Sequence, residues 1–311
     1  MTEFSNSISR RRFCAGLLAA GAGAMVLPAP ATAAESRTIS HRAGVTEISG
    51  RPSRVVALEF SFVQALDALD VAPVGISDDN QPGRIEQLLG KRIAYGSVGT
   101  RLEPNLELVS ALGPDLIIAD EVRHSAIYAQ LSAIAPTIVL NSWEGDYPTI
   151  RQSVLEIADA LGDRSRGERA LAAHDAVVSA LISKVPKNES RRFLLAVATT
   201  DSMSLHTSSS FTGSIFKAMG LTPALQSSSA VESGASLERL IAVNPDVLLV
   251  ATDDGGTVFD LWKTNTAFAN ISAVKNATVF EVNRNQFARF RGLKTAELIV
   301  RDVLSKVYHA G

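Results

Sequence analysis

The chain of 311 residues has very little cysteine: Cys14 is the only one. It lies within the first 34 residues, so a protein cut after that region has no thiol and no disulfide. A chain exported without disulfides has to be large enough to be stable through its hydrophobic core alone. Arg12 and Phe13 precede Cys14, where a lipidated cysteine would follow small and aliphatic residues, and we therefore expect no lipid anchor.

Apolar runs long enough to span a bilayer are missing as well. The stretch 14–27 is rich in Ala, Gly and Leu, but it falls short of the roughly 20 residues that a spanning helix needs. The basic segment Ser9-Arg-Arg-Arg-Phe13 precedes it, and Ala31-Thr-Ala33 follows it as a cleavage site. This order is typical of a secretory signal, and the paired arginines indicate the twin-arginine (Tat) route. We predict a twin-arginine signal peptide over residues 1–34 and a periplasmic location.

No excess of positive charge is present. The net charge of the chain is −2, and removal of the signal, with three arginines and Glu3, leaves −4. Without a basic patch we expect no binding to nucleic acid. The remaining length exceeds one typical domain, so two domains are predicted.

Catalytic motifs are also lacking. The sequence has no Gly-x-Ser-x-Gly elbow, no Gly-x-Gly-x-x-Gly and no P-loop. The histidines are scattered without the spacing of metal ligands: His41, His124, His174, His206 and His309. We therefore predict no catalytic residues and no metal site formed by the protein. An exported α/β hydrolase is the alternative from another functional class.

Buried strands alternate with amphipathic helices along the mature chain, which indicates an α/β fold with mostly parallel sheets. One series of predicted strands is 54–58, 72–76, 116–119 and 137–140, and a second is 193–198, 247–251 and 278–282. The segment 105–119 repeats as 236–250: each has a helix cap, Leu-Glu, an apolar helix face, Pro-Asp and an aliphatic strand. Pro114 and Pro245 end their helices. The repeat indicates two related lobes.

Residues 149–187 carry helical spacing without a strand signal, interrupted once at Gly162-Asp163. We therefore predict two Rossmann-like lobes joined by a long connecting helix. The N-terminal α/β lobe spans 35–148, the connecting helix 149–187, and the C-terminal α/β lobe 188–311. Because a helical connector is stiff, we expect the lobes to close only slightly.

Arginines follow several predicted strands, in the loops where α/β domains bind ligands. Guanidinium groups pair with carboxylates through two hydrogen bonds, so several of them facing one cleft would suit a polycarboxylate. Residues two apart on an extended segment point the same way, which favours Arg289 and Arg291 acting together. The candidate ligand-binding residues are Arg101, Arg123, Arg289, Arg291 and Trp143.

Several neighbouring residues allow two interpretations. Glu59 either pairs with a site arginine or caps the helix that follows it, and Trp143 either forms a wall of the cleft or packs beneath the connecting helix. Glu107 and Glu238 occupy matching places in the two repeated helices. A carboxylate there interacts favourably with the helix dipole, and the pair also suits docking, one per lobe, to basic sockets on a partner.

Longer sequence motifs of the chain resemble those of a known family. Ser97-Val-Gly-Thr-Arg101, Glu59-Phe-Ser-Phe62 and Ala288-Arg-Phe-Arg-Gly292 resemble the ferric dicitrate branch of the substrate-binding proteins of siderophore and iron-chelate ABC importers. The two Leu-Glu-x6-Pro-Asp motifs are typical of the wider helical-backbone class of such proteins. The resemblance covers nearly all of the mature chain, from about Arg54 to Val307.

The resemblance implies delivery of ferric citrate to permease subunits in the inner membrane, with Glu107 and Glu238 as permease-docking residues. It implies that the four arginines bind citrate carboxylates, with iron held by the chelator, no cofactor, and a monomer. A hydroxamate or carboxylate siderophore is the alternative ligand, and a haem site would need an axial ligand such as Tyr128 or His124. A receptor that reports its ligand to a membrane sensor is a third interpretation.

Overall fold

The structure is a computed structural model that describes residues 36–253 and 255–310. The predicted signal peptide, with its paired arginines and Cys14, lies outside the described residues. Within the described ranges, no helix combines the length and the apolar character that crossing a membrane requires.

The strands are β1 (Ser36–His41), β2 (Gly44–Ser49), β3 (Val55–Ala57), β4 (Gly75–Ile76), β5 (Gly96–Ser97), β6 (Leu116–Asp120), β7 (Thr137–Leu140), β8 (Arg192–Ala198), β9 (Met203–His206), β10 (Thr222–Pro223), β11 (Val231–Glu232), β12 (Val247–Thr252) and β13 (Val279–Asn283). The helices are α1 (Phe60–Ala68), α2 (Pro82–Leu89), α3 (Leu106–Ala111), α4 (Glu121–His124), α5 (Tyr128–Ile134), α6 (Tyr147–Ala160), α7 (Arg164–Ile182), α8 (Phe211–Ala218), α9 (Leu237–Val243), α10 (Val258–Trp262), α11 (Thr266–Ala269), α12 (Ser272–Lys275) and α13 (Leu293–Tyr308). A 3-10 turn covers Ser125–Ile127, and a π-helical turn covers Asn285–Arg289.

The N-terminal lobe is built on a parallel five-stranded sheet in the order β5-β4-β3-β6-β7. Its central strands are buried on both faces, as the aliphatic runs predicted. The antiparallel hairpin of β1 and β2, which the sequence analysis did not predict, packs beside β7. The parallel arrangement brings the carboxyl ends of β3, β4 and β6 to one edge, where Glu59, Asp79 and Arg123 follow them.

The C-terminal lobe contains a sheet in the order β11-β9-β8-β12-β13, with β10 also paired to β8. The predicted strands β8, β12 and β13 are parallel to one another. In contrast, β9 and β11 run antiparallel to their neighbours and were not predicted. The two lobes therefore share a parallel core but differ at one edge.

The internal repeat has the same local structure in both lobes. The side chains of Asn105 and Ser236 cap α3 and α9 by accepting backbone N–H groups. After each helix, the Pro-Asp carboxylate accepts the backbone N–H of an arginine at the start of the neighbouring strand. Asp115 accepts from Arg54 at 2.8 Å, and Asp246 accepts from Arg192 at 2.8 Å. The repeat therefore extends to contacts that lie far apart along the sequence.

The connecting segment is a pair of helices rather than one long helix. Between α6 and α7 the chain turns at Gly162, which has a φ of 76°. The buried side chains of α6 begin in the core of the C-terminal lobe, with Ile150, and end in that of the N-terminal lobe, with Ile157. Helix α7 returns in the opposite direction. The interruption noted in the sequence at Gly162-Asp163 is therefore a full reversal of the chain.

Helix α13 is a third bridge between the lobes. Its first residue, Leu293, packs in the core of the N-terminal lobe, whereas Ile299 packs in that of the C-terminal lobe. A hydrogen-bonded chain ties the three bridging helices together: Tyr147 Oη lies 2.6 Å from His174 Nε2, and His174 Nδ1 lies 2.8 Å from Glu297. The lobes are thus joined along three helices.

Candidate binding cleft

A cleft of about 430 Å³ lies between the lobes. Residues from both lobes line it: Arg101, Arg123, Trp143, Glu144, Val197, Ser204, His206, Ser229, Ala230, Val231, Ser233, Arg284, Ala288, Arg289 and Arg291. All five residues predicted to bind the ligand are therefore brought together. The interpretation of Trp143 as a wall of the cleft agrees with this arrangement.

Arg101 does not stand free in the cleft, because the Asp79 carboxylate holds it. Arg101 Nη2 lies 2.8 Å from Asp79 Oδ2, and the same oxygen accepts from Arg84 Nη1 at 2.9 Å. The pKa of the Asp79 carboxyl is lowered: burial alone would raise it, but hydrogen bonds from Arg101 outweigh that effect. The ring of Phe60 lies 4.0 Å below the Arg101 guanidinium.

Glu59 connects Arg101 to Arg123. Its carboxylate accepts from Arg123 Nη1 at 2.5 Å and from Arg101 Nη1 at 3.4 Å. Burial raises the pKa of the Glu59 carboxyl, and the two guanidinium groups oppose that rise. Its side chain makes no capping hydrogen bond to α1. Of the two interpretations of Glu59, pairing with site arginines is therefore confirmed.

His124 fixes the backbone of Arg101. Its Nδ1 accepts the backbone N–H of Asp120 at 2.8 Å, and its Nε2 lies 2.8 Å from the carbonyl oxygen of Arg101. With one nitrogen accepting and the other donating, the ring is the neutral Nε2–H tautomer. Burial lowers the pKa of His124, which agrees with a neutral ring. His124 is thus a structural residue that connects β6 to the Arg101 loop.

The Asp120 carboxylate positions both Arg123 and Trp143. It caps α4 by accepting the backbone N–H of Arg123 at 2.9 Å, and its other oxygen accepts the backbone N–H of Trp143 at 2.9 Å. The guanidinium of Arg123 then stacks on the indole, 4.2 Å from the ring centroid. One buried carboxylate therefore sets the distance between a cationic and an aromatic wall of the cleft.

On the C-terminal lobe, Asp253 pairs with two arginines. Arg289 Nη1 and Nη2 donate to its two oxygens at 2.8 and 2.9 Å, and Arg284 Nη1 donates at 2.8 Å. The hydrogen bonds from Arg289 are the main reason that the pKa of Asp253 is lowered to about 2. Both lobes thus present arginines that are already held by protein carboxylates.

Arg291 is the exception. It is 8 % exposed, makes no ion pair with any described residue, and its Nε has no hydrogen-bond partner. Its closest polar contact is the carbonyl oxygen of Arg289, 3.5 Å from Nη1. Burial lowers the pKa of Arg291 to about 10, still high enough for the group to be charged at neutral pH. A buried cation without a carboxylate partner among the described residues calls for an anionic ligand.

The backbone around Arg291 passes between the two cores. Phe287 packs in the core of the C-terminal lobe and Phe290 in that of the N-terminal lobe. Arg289 ends a π-helical turn, so the extended segment predicted for Arg289 to Arg291 is wrong at its start, although both side chains do line the cleft. Such turns recur at functional sites.

Gly292 then allows the side chain of Gln64 to reach the start of α13. With φ at 146°, an added Cβ would lie 2.0 Å from Gln64 Oε1. That oxygen accepts the backbone N–H of Thr295 at 3.2 Å, and Gln64 Nε2 donates to Thr295 Oγ1 at 2.9 Å. A residue of the N-terminal lobe thereby caps the helix that follows Arg291.

Several residues of the cleft escaped the sequence analysis. His206 ends β9, an antiparallel strand that was not predicted; Ser204 lies in the same strand, and Ser229 and Ser233 flank β11 beside it. Burial, followed by the charge of Arg291, lowers the pKa of His206 to about 3, so the ring is neutral. Arg284 follows the predicted last strand, five residues before Arg289, and is not among the predicted ligand-binding residues.

The two predicted docking residues lie outside the cleft. Glu107 and Glu238 are both exposed, each in the first turn of its helix. The hydrogen bond from the side chain of Ser236 lowers the pKa of Glu238. Leu108, beside Glu107, is also largely exposed. Their matching placement agrees with the repeat, and docking remains a prediction.

Comparisons with known proteins agree on one family. A family model described as "Periplasmic binding protein" matches residues 55–285. The chain is 48% identical over 275 residues to the Fe(3+)-citrate-binding protein YfmC of Bacillus subtilis, which covers 88% of this chain and 87% of that protein. It is 34% identical over 273 residues to the Fe(3+) dicitrate-binding periplasmic protein FecB of Escherichia coli, covering 88% and 90%. In fold it resembles Staphylococcus aureus SirA complexed with staphyloferrin B, with a TM-score of 0.76, 24% identity, and 88% and 98% of the two chains covered.

Proposed function

The chain belongs to the periplasmic binding protein family, and from this premise we propose that it captures ferric citrate outside the cytoplasmic membrane and delivers it to an ABC importer. Two relatives with substantial identity over most of the chain are described as binding ferric citrate and ferric dicitrate. The chemistry of the cleft supports the same ligand class, since guanidinium groups from both lobes face one space.

The observation that carries the proposal is the unpaired, buried Arg291. The guanidinium groups of the cleft and its contacts outnumber the carboxylates by one: Arg84, Arg101, Arg123, Arg284, Arg289 and Arg291 against Glu59, Asp79, Asp120, Glu144 and Asp253. An anion with several carboxylates can reach Arg291 and, at the same time, an arginine of each lobe. A monoanion can satisfy only one of them.

In this proposal the iron enters as cargo inside its chelator. The cationic lining suits the carboxylates of citrate rather than a bare metal cation. Trp143 supplies an apolar wall, and the neutral ring of His206 supplies a hydrogen-bonding group beside Arg291. The hydroxyl groups of Ser204 and Ser233 can donate to the remaining oxygens of the chelate.

Delivery requires a surface that the permease can recognise in both lobes. We assign this role to Glu107 and Glu238, which are exposed at equivalent positions of α3 and α9. A carboxylate in each lobe suits two permease subunits that present basic sockets. Charge reversal at both positions, as Glu107→Lys with Glu238→Lys, should abolish uptake and leave chelate binding unchanged.

Another ferric siderophore with carboxylate groups remains the alternative ligand, because the arginines recognise the carboxylate rather than the rest of the chelator. The alternative of an exported hydrolase has no support, since the relatives are binding proteins. The hydroxyl of Ser214, a serine at the start of a helix, accepts the backbone N–H of Tyr147 at 2.8 Å and donates to the carbonyl of Phe211 at 2.7 Å. It is therefore engaged in structural contacts.

The test is a titration of the mature protein with ferric citrate, iron-free citrate and a ferric hydroxamate, followed by tryptophan fluorescence. Trp262 packs against Phe259 and Phe268 outside the cleft, so a Trp262→Phe variant isolates the signal of Trp143. We expect tight binding of ferric citrate that Arg291→Ala abolishes.

The matched control is Arg301→Ala, an exposed arginine on α13 outside the cleft, which should leave the affinity unchanged. Preference for the hydroxamate would overturn ferric citrate as the ligand. Undiminished binding by the Arg291 variant would overturn the assignment of the site.

A further inference from the structure

Asp253 binds Arg284 and Arg289 of the C-terminal lobe in the way that a ligand carboxylate would. Its two oxygens receive parallel hydrogen bonds from Arg289 at 2.8 and 2.9 Å, and one of them also accepts from Arg284. This two-bond geometry is the one in which guanidinium groups bind free carboxylates. A ligand carboxylate cannot bind to this arginine pair in the same way unless Asp253 gives up at least part of its contacts.

The three carboxylates that form ion pairs with arginines of the cleft differ in accessibility. The side chains of Glu59 and Asp79 are 2% and 17% exposed, whereas that of Asp253 is 48% exposed. Moving Glu59 off its arginines would leave a buried carboxylate without an ion pair, which is costly. Asp253 can instead exchange its arginine contacts for water, because half of its side chain already faces solvent.

We propose that Asp253 is a specificity-determining placeholder, which holds Arg284 and Arg289 in the free protein and is displaced by a carboxylate of the bound anion. This inference rests on the proposed function of the cleft. A small monocarboxylate only replaces one carboxylate by another at this position and gains little. A polyanion anchored at Arg291 presents its second carboxylate at a high effective concentration, and it therefore displaces Asp253.

A double-mutant cycle tests the proposal. Asp253→Asn removes the competing charge and keeps the shape of the side chain. We expect it to tighten ferric citrate binding at low salt by about two- to fivefold, since a partly exposed ion pair contributes up to about 1 kcal/mol. It should also make succinate a better competitor. In the Arg284→Ala/Arg289→Ala background the same substitution should change the affinity by less than about twofold, because no arginine pair remains to be released.

Glu144→Gln calibrates the effect of charge alone. Glu144 lines the exposed rim of the cleft and makes no ion pair with a described residue. Its removal reports the through-space effect of one negative charge, which we expect to be smaller than the effect of Asp253→Asn and to persist when Arg284 and Arg289 are absent.

Two outcomes would overturn the proposed role of Asp253. Weaker binding by Asp253→Asn would mean that Asp253 orients the arginines for the ligand, and a gain that survives in the arginine-free background would mean that only net charge matters. If the unaltered protein does not bind ferric citrate, the proposed function fails, and the same cycle is then run with iron-free citrate as the carboxylate probe. Absence of citrate binding as well would overturn both.

Discussion

Replacement of Arg291 by methionine should stabilise the free protein while destroying its function. Burial is the first cause that lowers the pKa of Arg291 from its ordinary value to about 10. At about 1.4 kcal/mol per pKa unit, keeping this group charged in the folded state costs about 3 kcal/mol. Loss of the contact between Arg291 and Trp143 offsets about 0.5–2 kcal/mol of that gain. A net stabilisation of about 1–3 kcal/mol is therefore expected.

The effect on binding has the opposite sign. A guanidinium that donates two charge-assisted hydrogen bonds to a carboxylate contributes about 1.5–3 kcal/mol for each bond. Without Arg291 the affinity for ferric citrate should therefore fall by at least about a hundredfold. A group that destabilises the free protein is then a group that stabilises the complex.

Thermal unfolding with and without ferric citrate measures, in one assay, the stability of the free protein and its stabilisation by the chelate. The free Arg291→Met protein should unfold several degrees higher than the unaltered protein, at about 2–4 °C per kcal/mol. The unaltered protein should gain stability from the chelate, whereas the variant should gain none. Arg301→Met, at an exposed position of α13, controls for the change of residue type. A free variant that unfolds at a lower temperature would refute the argument that the guanidinium is buried at a cost.

Three further substitutions probe the surroundings of the cleft. Glu59→Gln removes the carboxylate shared by Arg101 and Arg123, but it also removes a charge that burial penalises, since burial raises the pKa of Glu59. Because the two effects oppose each other, it should lower the free energy of unfolding in urea titrations by less than about 3 kcal/mol; a loss of about 3–5 kcal/mol would contradict this. Gly292→Ala places a Cβ 2.0 Å from Gln64 Oε1 at a φ of 146°, and should cost about 2–5 kcal/mol in thermal unfolding and weaken chelate binding. Gly83→Ala, where an added Cβ meets no atom within 4 Å, is the control. His206 has its pKa lowered to about 3 in the folded state, so the unfolded chain binds more protons between about pH 3 and 6.5 and stability should fall as the pH falls through that window. His206→Gln should reduce this dependence in urea titrations at pH 5 and 7.5, and an equal dependence in both proteins would argue against a neutral His206 ring.

The parallel cores were predictable because their strands are continuous aliphatic runs bounded by Pro-Asp stops. The repeat was predictable because its elements are local in sequence. Asn105 and Ser236 cap their own helices, and Asp115 and Asp246 follow them at the same spacing along the chain. The antiparallel strand β9 gave no such signal, since it is four residues long and ends in His206. Its pairing with β8 depends on the tertiary structure.

The arginines of the cleft were predictable from their positions after the strands, but their partners were not. Asp79 and Asp253 lie 22 and 36 residues from the arginines that they hold, and no local pattern records such a pairing. Of the four predicted arginines, three are neutralised in part by protein carboxylates, and only the structure shows that Arg291 is different. A count of arginines therefore overestimates the free positive charge of the site.

The position of Arg291 explains how a protein with three bridging helices can still bind a ligand between its lobes. Phe287 and Phe290 anchor the segment in different cores, so a large rotation of one lobe against the other would pull Phe287 or Phe290 out of its core. A site held in this way is formed before the ligand arrives and loses little conformational freedom on binding. Recognition then requires side-chain exchange, above all at Asp253, rather than a hinge motion. The stiffness predicted from the helical connector thus becomes a property of the binding site itself, because the segment that crosses between the lobes also carries the unpaired charge.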